Sequence, residues 1–128
     1  MKTISAPKTE NQRLNEFLDF TFSFLNLAPT FRQRREAAST TLTASDFYLA
    51  ITDTTAARTV NLPALKSVPL EQLYIVKDES GNAAVNNITI DGNGAEQIDG
   101  ALTKVINNNS GAVGILRGST AWFTWIVR

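Results

Sequence analysis

The chain has 128 residues, and its twelve Lys and Arg balance its twelve Asp and Glu, so it offers no global basic field for nucleic acid. It contains neither Cys nor His. Disulfides and thiolate metal sites are excluded, and the commonest metal ligand and general base are missing. The length fits one domain with an appended segment and a core of modest size.

The first residues, Met1-Lys2-Thr3-Ile4-Ser5 followed by Pro7, Lys8 and Glu10, hold no apolar run of the kind a secretory signal needs. The apolar stretch 17–27 is interrupted by Asp19, Thr21, Ser23 and Asn26, which makes it too short and too polar to span a bilayer. The expectation is a protein made or assembled in the cytoplasm, with neither membrane nor nucleic acid among its partners.

Thr9-Glu10-Asn11-Gln12 has the form of a capping box, with Thr as N-cap and Gln three residues on. Leu14, Phe17, Leu18, Thr21, Phe22 and Leu25 then follow helical spacing on one face, and Phe20, Phe24 and Leu27 form a second stripe beside it. Pro29 suits a stop. Phe20, Phe22 and Phe24 also alternate with period two, as in a strand, so the segment is helical or extended, with the helix preferred. Its apolar face is too wide for one small domain to bury and points to neighbouring subunits or a larger assembly.

Residues 30–43 read as a connector. Within them Arg32-Gln33-Arg34-Arg35-Glu36 reads as a solvated charged run, or as an Arg cluster that clamps an acidic partner surface.

From there the composition shifts to Thr, Asn, Gly, Val and Ile. Seven short strands are expected, at 47–52, 59–62, 72–77, 87–91, 102–106, 112–116 and 121–127. Turn chemistry separates them at Ser80-Gly81-Asn82, Asp91-Gly92-Asn93-Gly94, Asp99-Gly100, 107–111 and Arg117-Gly118-Ser119. In the last strand Trp122 and Trp125 lie three apart and so face opposite sides, which calls for cover on both sides or a subunit interface. The fold expected is mainly β: a compact antiparallel sandwich, barrel or prism-like module over residues 41–128. It follows an N-terminal docking or oligomerisation segment over 1–40.

The stretch Ile51-Thr52-Asp53-Thr54-Thr55-Ala56-Ala57-Arg58-Thr59-Val60-Asn61-Leu62-Pro63 resembles a module that recurs in virion proteins of tailed bacteriophages. So do Tyr74-Ile75-Val76-Lys77-Asp78-Glu79-Ser80-Gly81-Asn82-Ala83, Asn86-Asn87-Ile88-Thr89-Ile90, the run from Asp91 to Gly100, Gly111-Ala112-Val113 and Trp122-Phe123. The resemblance covers residues 43–127. It implies a β-rich, often homotrimeric structural module of tail fibres, tailspikes, baseplate parts, or capsid protrusion and decoration proteins. The implied localisation is the virion, and the implied partners are further copies of the chain and other virion structural proteins. Here the module stands almost alone behind a short N-terminal segment, so the matched residues do not choose between capsid and tail.

The chain is expected not to be an enzyme and to hold no cofactor. A nucleophilic triad of the usual kind lacks its base, since the chain has no His. Asp91, Glu96 and Asp99 are close enough in sequence to be weighed as glycosidase carboxylates, but they sit among turn residues that favour Asp for local reasons. The same segment lacks the Gly and Glu positions of a calcium loop, and no phosphate-binding loop is present. The candidate docking and oligomer residues are Phe17, Phe20, Phe22, Phe24, Arg32, Arg34, Arg35, Trp122 and Trp125. An alternative is a host-receptor module that binds surface glycan by stacking sugars on Trp122 or Trp125.

Overall fold

The computed structural model describes residues 9–12 and 32–127. Its contacts divide the chain into two units, Met1–Thr30 and Phe31–Arg128. In the first, the capping box forms as expected: Thr9 N–H donates to Gln12 Oε1 at 2.9 Å, and Gln12 N–H donates to Thr9 Oγ1 at 3.1 Å. Glu10 to Gln12 are helical. Phe17, Phe20, Phe22 and Phe24 lie outside the described residues.

The second unit is mainly β. Its strands are β1 (Arg32–Glu36), β2 (Thr40–Thr41), β3 (Asp46–Ile51), β4 (Arg58–Asn61), β5 (Leu73–Asp78), β6 (Ile88–Asp91), β7 (Thr103–Ile106), β8 (Ala112–Arg117) and β9 (Trp122–Val127). One sheet has five strands in the order β1-β3-β5-β8-β9, and the other has four in the order β2-β4-β6-β7. The chain visits the sheets alternately from β1 to β6, like three turns of a flattened coil, and each strand pairs in parallel with the one a turn earlier. It then reverses, and β7, β8 and β9 pair antiparallel.

The sheets are therefore mixed, which corrects the expectation of an antiparallel module. The physical reason lies in the turns. The segment Ser80-Gly81-Asn82 is not a hairpin. It is a corner at which the chain leaves the five-stranded sheet after Asp78 and joins the four-stranded sheet at Ile88. Residues 30–43 are not merely a connector, since they contain β1 and β2.

Alternation along the strands sends one set of side chains inward. Leu49, Ile51, Tyr74, Val76, Val113, Ile115 and Trp122 come from the five-stranded sheet, and Val60, Ile88, Ile90 and Ile106 from the four-stranded one. Leu42, Leu62, Leu65, Val68, Ala83 and Ile98 from the connections complete one buried cluster. Burying a large apolar side chain contributes about 1.5–3 kcal/mol, so this cluster is the main force holding the sheets together.

Two polar knots fix the winding. Asp46 is buried, and its carboxylate takes Arg34 Nε at 3.2 Å, Arg34 Nη2 at 3.1 Å and the Thr43 N–H at 2.9 Å. Arg34 Nη1 reaches Glu36 and Thr40 Oγ1, and Nη2 also reaches the Thr41 carbonyl, so one guanidinium ties β1, β2 and β3 together. Asp78 is the second knot. Its buried carboxylate accepts the N–H groups of Ser80, Gly81, Ala83 and Ser110 and the Ser80 hydroxyl. Burial alone would raise its pKa, but the hydrogen bonds from Ser80, Ala83, Ser110 and Gly81 outweigh it and hold it below the ordinary value of 3.8.

Candidate interaction surface

The residues facing away from the core differ between the sheets. On the five-stranded sheet the register aligns Gln33, Tyr48, Ile75, Gly114 and Trp125 in one outward row, and Leu73, Leu116 and Phe123 in the next. Leu116, Phe123 and Trp125 are 37%, 50% and 44% exposed. Together the rows form an apolar, aromatic face.

Two glycines shape that face. A Cβ built on Gly114 would stand 2.3 Å from Cε2 of Trp125, and one on Gly118 would stand 2.4 Å from Cε2 of Phe123. Each ring is thus seated over a glycine, which keeps the surface low. The polar groups bordering the face are engaged within the chain. The Tyr48 hydroxyl donates to Glu79 Oε2 at 2.6 Å, and Arg35 donates to both Glu79 oxygens at 3.1 and 3.3 Å. Partial burial and then Glu79 push the Tyr48 pKa up to about 12, and the Tyr48 hydrogen bond followed by Arg35 hold that of Glu79 down. Lys77 Nζ donates to the Ser110 carbonyl. An apolar centre with a polar border is the anatomy of a protein-binding patch.

Three of the four edge strands are protected in different ways. Edge strand β1 is charged, and β2 is two residues long. Edge strand β9 has the sequence Trp-Phe-Thr-Trp-Ile-Val, with no charge to blunt it. The segment 97–99 covers its first half instead, from Trp122 to Thr124. Trp122 N–H donates to the Gln97 carbonyl at 2.9 Å, Asp99 N–H to the Trp122 carbonyl at 3.0 Å, and Thr124 N–H to Asp99 Oδ1 at 3.1 Å. The Thr124 hydroxyl donates to Asp99 Oδ2. Burial would raise the pKa of Asp99, but the bonds from Thr124 and then Lys104 hold it low, so the carboxylate stays an acceptor.

The residues singled out by sequence fall in different places. Arg34 is an internal clamp, 17% exposed, and not part of a solvated run. Arg35 pairs with Glu79 at the border of the apolar face, and Arg32 lies 3.9 Å from Asp46. Trp122 and Trp125 do face opposite sides. Trp122 is fully buried and packs against Tyr74 with ring centroids 5.8 Å apart, so only Trp125 is available to a partner or a sugar. Tyr48, Leu73, Ile75, Leu116 and Phe123 were not singled out. Phe123 had a signal, because it alternates in phase with Trp125. The others become a surface only once the strand register is known.

The weighed carboxylates have separate tasks. Glu96 accepts the Leu65 N–H at 2.9 Å, Asp99 caps β9, and Asp91 points outward from β6. Among the described residues no group of three His, Cys, Asp or Glu is placed to hold a metal ion. No protein-family model and no curated protein matches the chain.

Proposed function

We propose that this chain is a structural component of a tailed-phage virion: an oligomeric surface protein, trimeric by its resemblance, docked onto capsid or tail by its N-terminal segment. The observation that carries the reading is the open aromatic face of the five-stranded sheet, with Leu116, Phe123 and Trp125 exposed together, the layout of a module whose work is to bind other proteins. The resemblance over residues 43–127 supplies the virion context. The segment 1–30 supplies the docking element, with Phe17, Phe20, Phe22 and Phe24 as its anchors. The work asked of the chain is adhesion and stability, which its own side chains supply.

A truncation tests this, provided it stops before β1 so that the Arg34 clamp survives. Deleting residues 1–30 leaves a soluble, folded β-module that no longer enters particles. Incorporation of the truncated chain at the level of the full chain would overturn the reading.

A further inference from the structure

We propose that Asn93 is a site of spontaneous covalent modification in the folded chain. Its side chain closes onto the backbone nitrogen of Gly94 as a cyclic imide, loses its amide as ammonia, and opens with water to aspartate and isoaspartate. The reaction needs no partner and does not depend on the virion reading.

A backbone nitrogen can attack the side-chain carbonyl carbon of the Asn or Asp before it. It does so most readily when it belongs to glycine, which has no Cβ to block the approach. Three dipeptides of the chain have that form: Asp91-Gly92, Asn93-Gly94 and Asp99-Gly100. Asn93 is the one Asn that is followed by Gly.

The fold separates the three. Gly92 is buried, and its N–H is committed to the Leu102 carbonyl at 3.0 Å. A Cβ built there would stand 2.2 Å from the Glu96 carbonyl oxygen, so the backbone is tightly packed at that point. Asp99 is held as a carboxylate by the Thr124 N–H at 3.1 Å, by the Thr124 hydroxyl, and by Lys104 at 3.5 Å. An ionised carboxylate resists attack by a nucleophile.

Asn93 has neither restraint. Asn93 and Gly94 are exposed, and a Cβ built on Gly94 would meet nothing within 4 Å. Among the described residues nothing hydrogen-bonds to the Asn93 side-chain amide or to the Gly94 N–H. The Glu96 N–H donates to the Asn93 carbonyl at 3.0 Å and closes a turn in which Gly94 takes φ 58°. That conformation favours glycine, so the turn itself demands the residue that leaves the nitrogen open. Residues 93–97, with Thr120 and Ala121, line a surface hollow of about 570 Å³ through which water reaches the pair.

The step balances with solvent alone. Hydroxide takes the Gly94 amide proton, and the nitrogen forms a bond to Asn93 Cγ. The Cγ–Nδ2 bond breaks, and Nδ2 leaves as ammonia with a proton from water, which restores the hydroxide. Water then adds to one of the two imide carbonyls. Breaking the ring at Cγ gives aspartate. Breaking it at the backbone carbonyl gives isoaspartate, and the main chain then runs through the former side chain. Either product adds a negative charge to a chain with no net charge. The charge enters the same turn as Glu96, whose carboxylate accepts the Leu65 N–H at 2.9 and 3.2 Å.

The test incubates the full chain, folded, at mildly alkaline pH and physiological temperature, beside the same chain unfolded in guanidinium chloride. Peptide mass spectrometry follows each site over time, with electron-transfer fragmentation to tell isoaspartate from aspartate. In the folded chain, conversion at Asn93 is expected ahead of every other Asn, and ahead of isoaspartate at Asp91 or Asp99. Isoelectric focusing should show a more acidic form that is lost in Asn93→Gln, whose longer side chain closes the ring far more slowly. The rate at Asn93 should rise in proportion to hydroxide concentration. A folded chain that keeps the Asn93 amide while the unfolded chain loses it overturns the proposal. So does isoaspartate that forms at Asp91 or Asp99 as fast as at Asn93 in the folded chain. A rate at Asn93 that does not change across the alkaline range overturns the attack by the Gly94 nitrogen.

Discussion

Across the four-stranded sheet the outward rows read Thr59, Thr89, Val105 and Thr41, Asn61, Asp91, Thr103. Across the five-stranded sheet they read Gln33, Tyr48, Ile75, Gly114, Trp125 and Leu73, Leu116, Phe123. Both sheets bury their inner faces in one cluster, so the core does not distinguish them. The outer faces do. A Thr, Asn and Asp surface is satisfied by water, while an aromatic surface over seated glycines gains by losing water. A small two-sheet module can thus present one polar and one apolar outer face.

Substitutions that break the shared core should outweigh those on either outer face. Trp122→Ala is expected to cost ~3–5 kcal/mol in chemical denaturation, since it removes the largest fully buried side chain. Trp122→Phe should cost less, because the indole Nε1 it removes has no acceptor among the described residues. Asp78 joins the two sheets at a corner, and Asp78→Asn should cost ~1–3 kcal/mol near neutral pH by leaving N–H groups unpaired. Its carboxyl is depressed in the folded state, so its contribution is present above the ordinary carboxylate range. That contribution is lost as pH falls from about 4 through the lower folded value. Acid denaturation of Asp78→Asn, followed by circular dichroism, should therefore show a flatter acid limb.

The outer faces should then separate from each other. Gly114→Val pushes a side chain into the Trp125 ring and should cost ~1–3 kcal/mol, whereas Thr89→Val on the other sheet should stay within about 0.5 kcal/mol. Equal costs would dissolve the contrast. The smallest effect concerns the edge. Asp99 sits at φ 51°, which glycine adopts freely, so Asp99→Gly removes the carboxylate without backbone strain. It should cost about 1 kcal/mol and raise aggregation on storage by opening β9, measurable by light scattering.

Much of the strand layout was legible because period-two alternation and turn residues bracket it. Each of the seven expected strands lies within one residue of β3 to β9 at either end. The first two strands were not legible. The side chains of β1 answer carboxylates, Asp46 and Glu79, so the strand carries Arg and Glu where alternation looks for apolar residues. Parallel pairing was hidden for a different reason: alternation is the same in both pairing senses, and Asp78 to Asn82 has the composition of a hairpin turn while serving as a corner. For the surface, the three-residue spacing of Trp122 and Trp125 established that they face opposite ways. Which of them faces the core depends on register with Gly114, a contact between β8 and β9 that no local pattern encodes.

The contrast between the outer faces is tested most directly by hydroxyl-radical footprinting of the full chain across a concentration series, read residue by residue by mass spectrometry. Leu116, Phe123 and Trp125 should become protected as concentration rises, while Leu102 and Val105 stay reactive throughout. Protection that falls on Leu102 and Val105, or reactivity at Phe123 and Trp125 that does not change with concentration, would contradict the assignment of the five-stranded face to assembly.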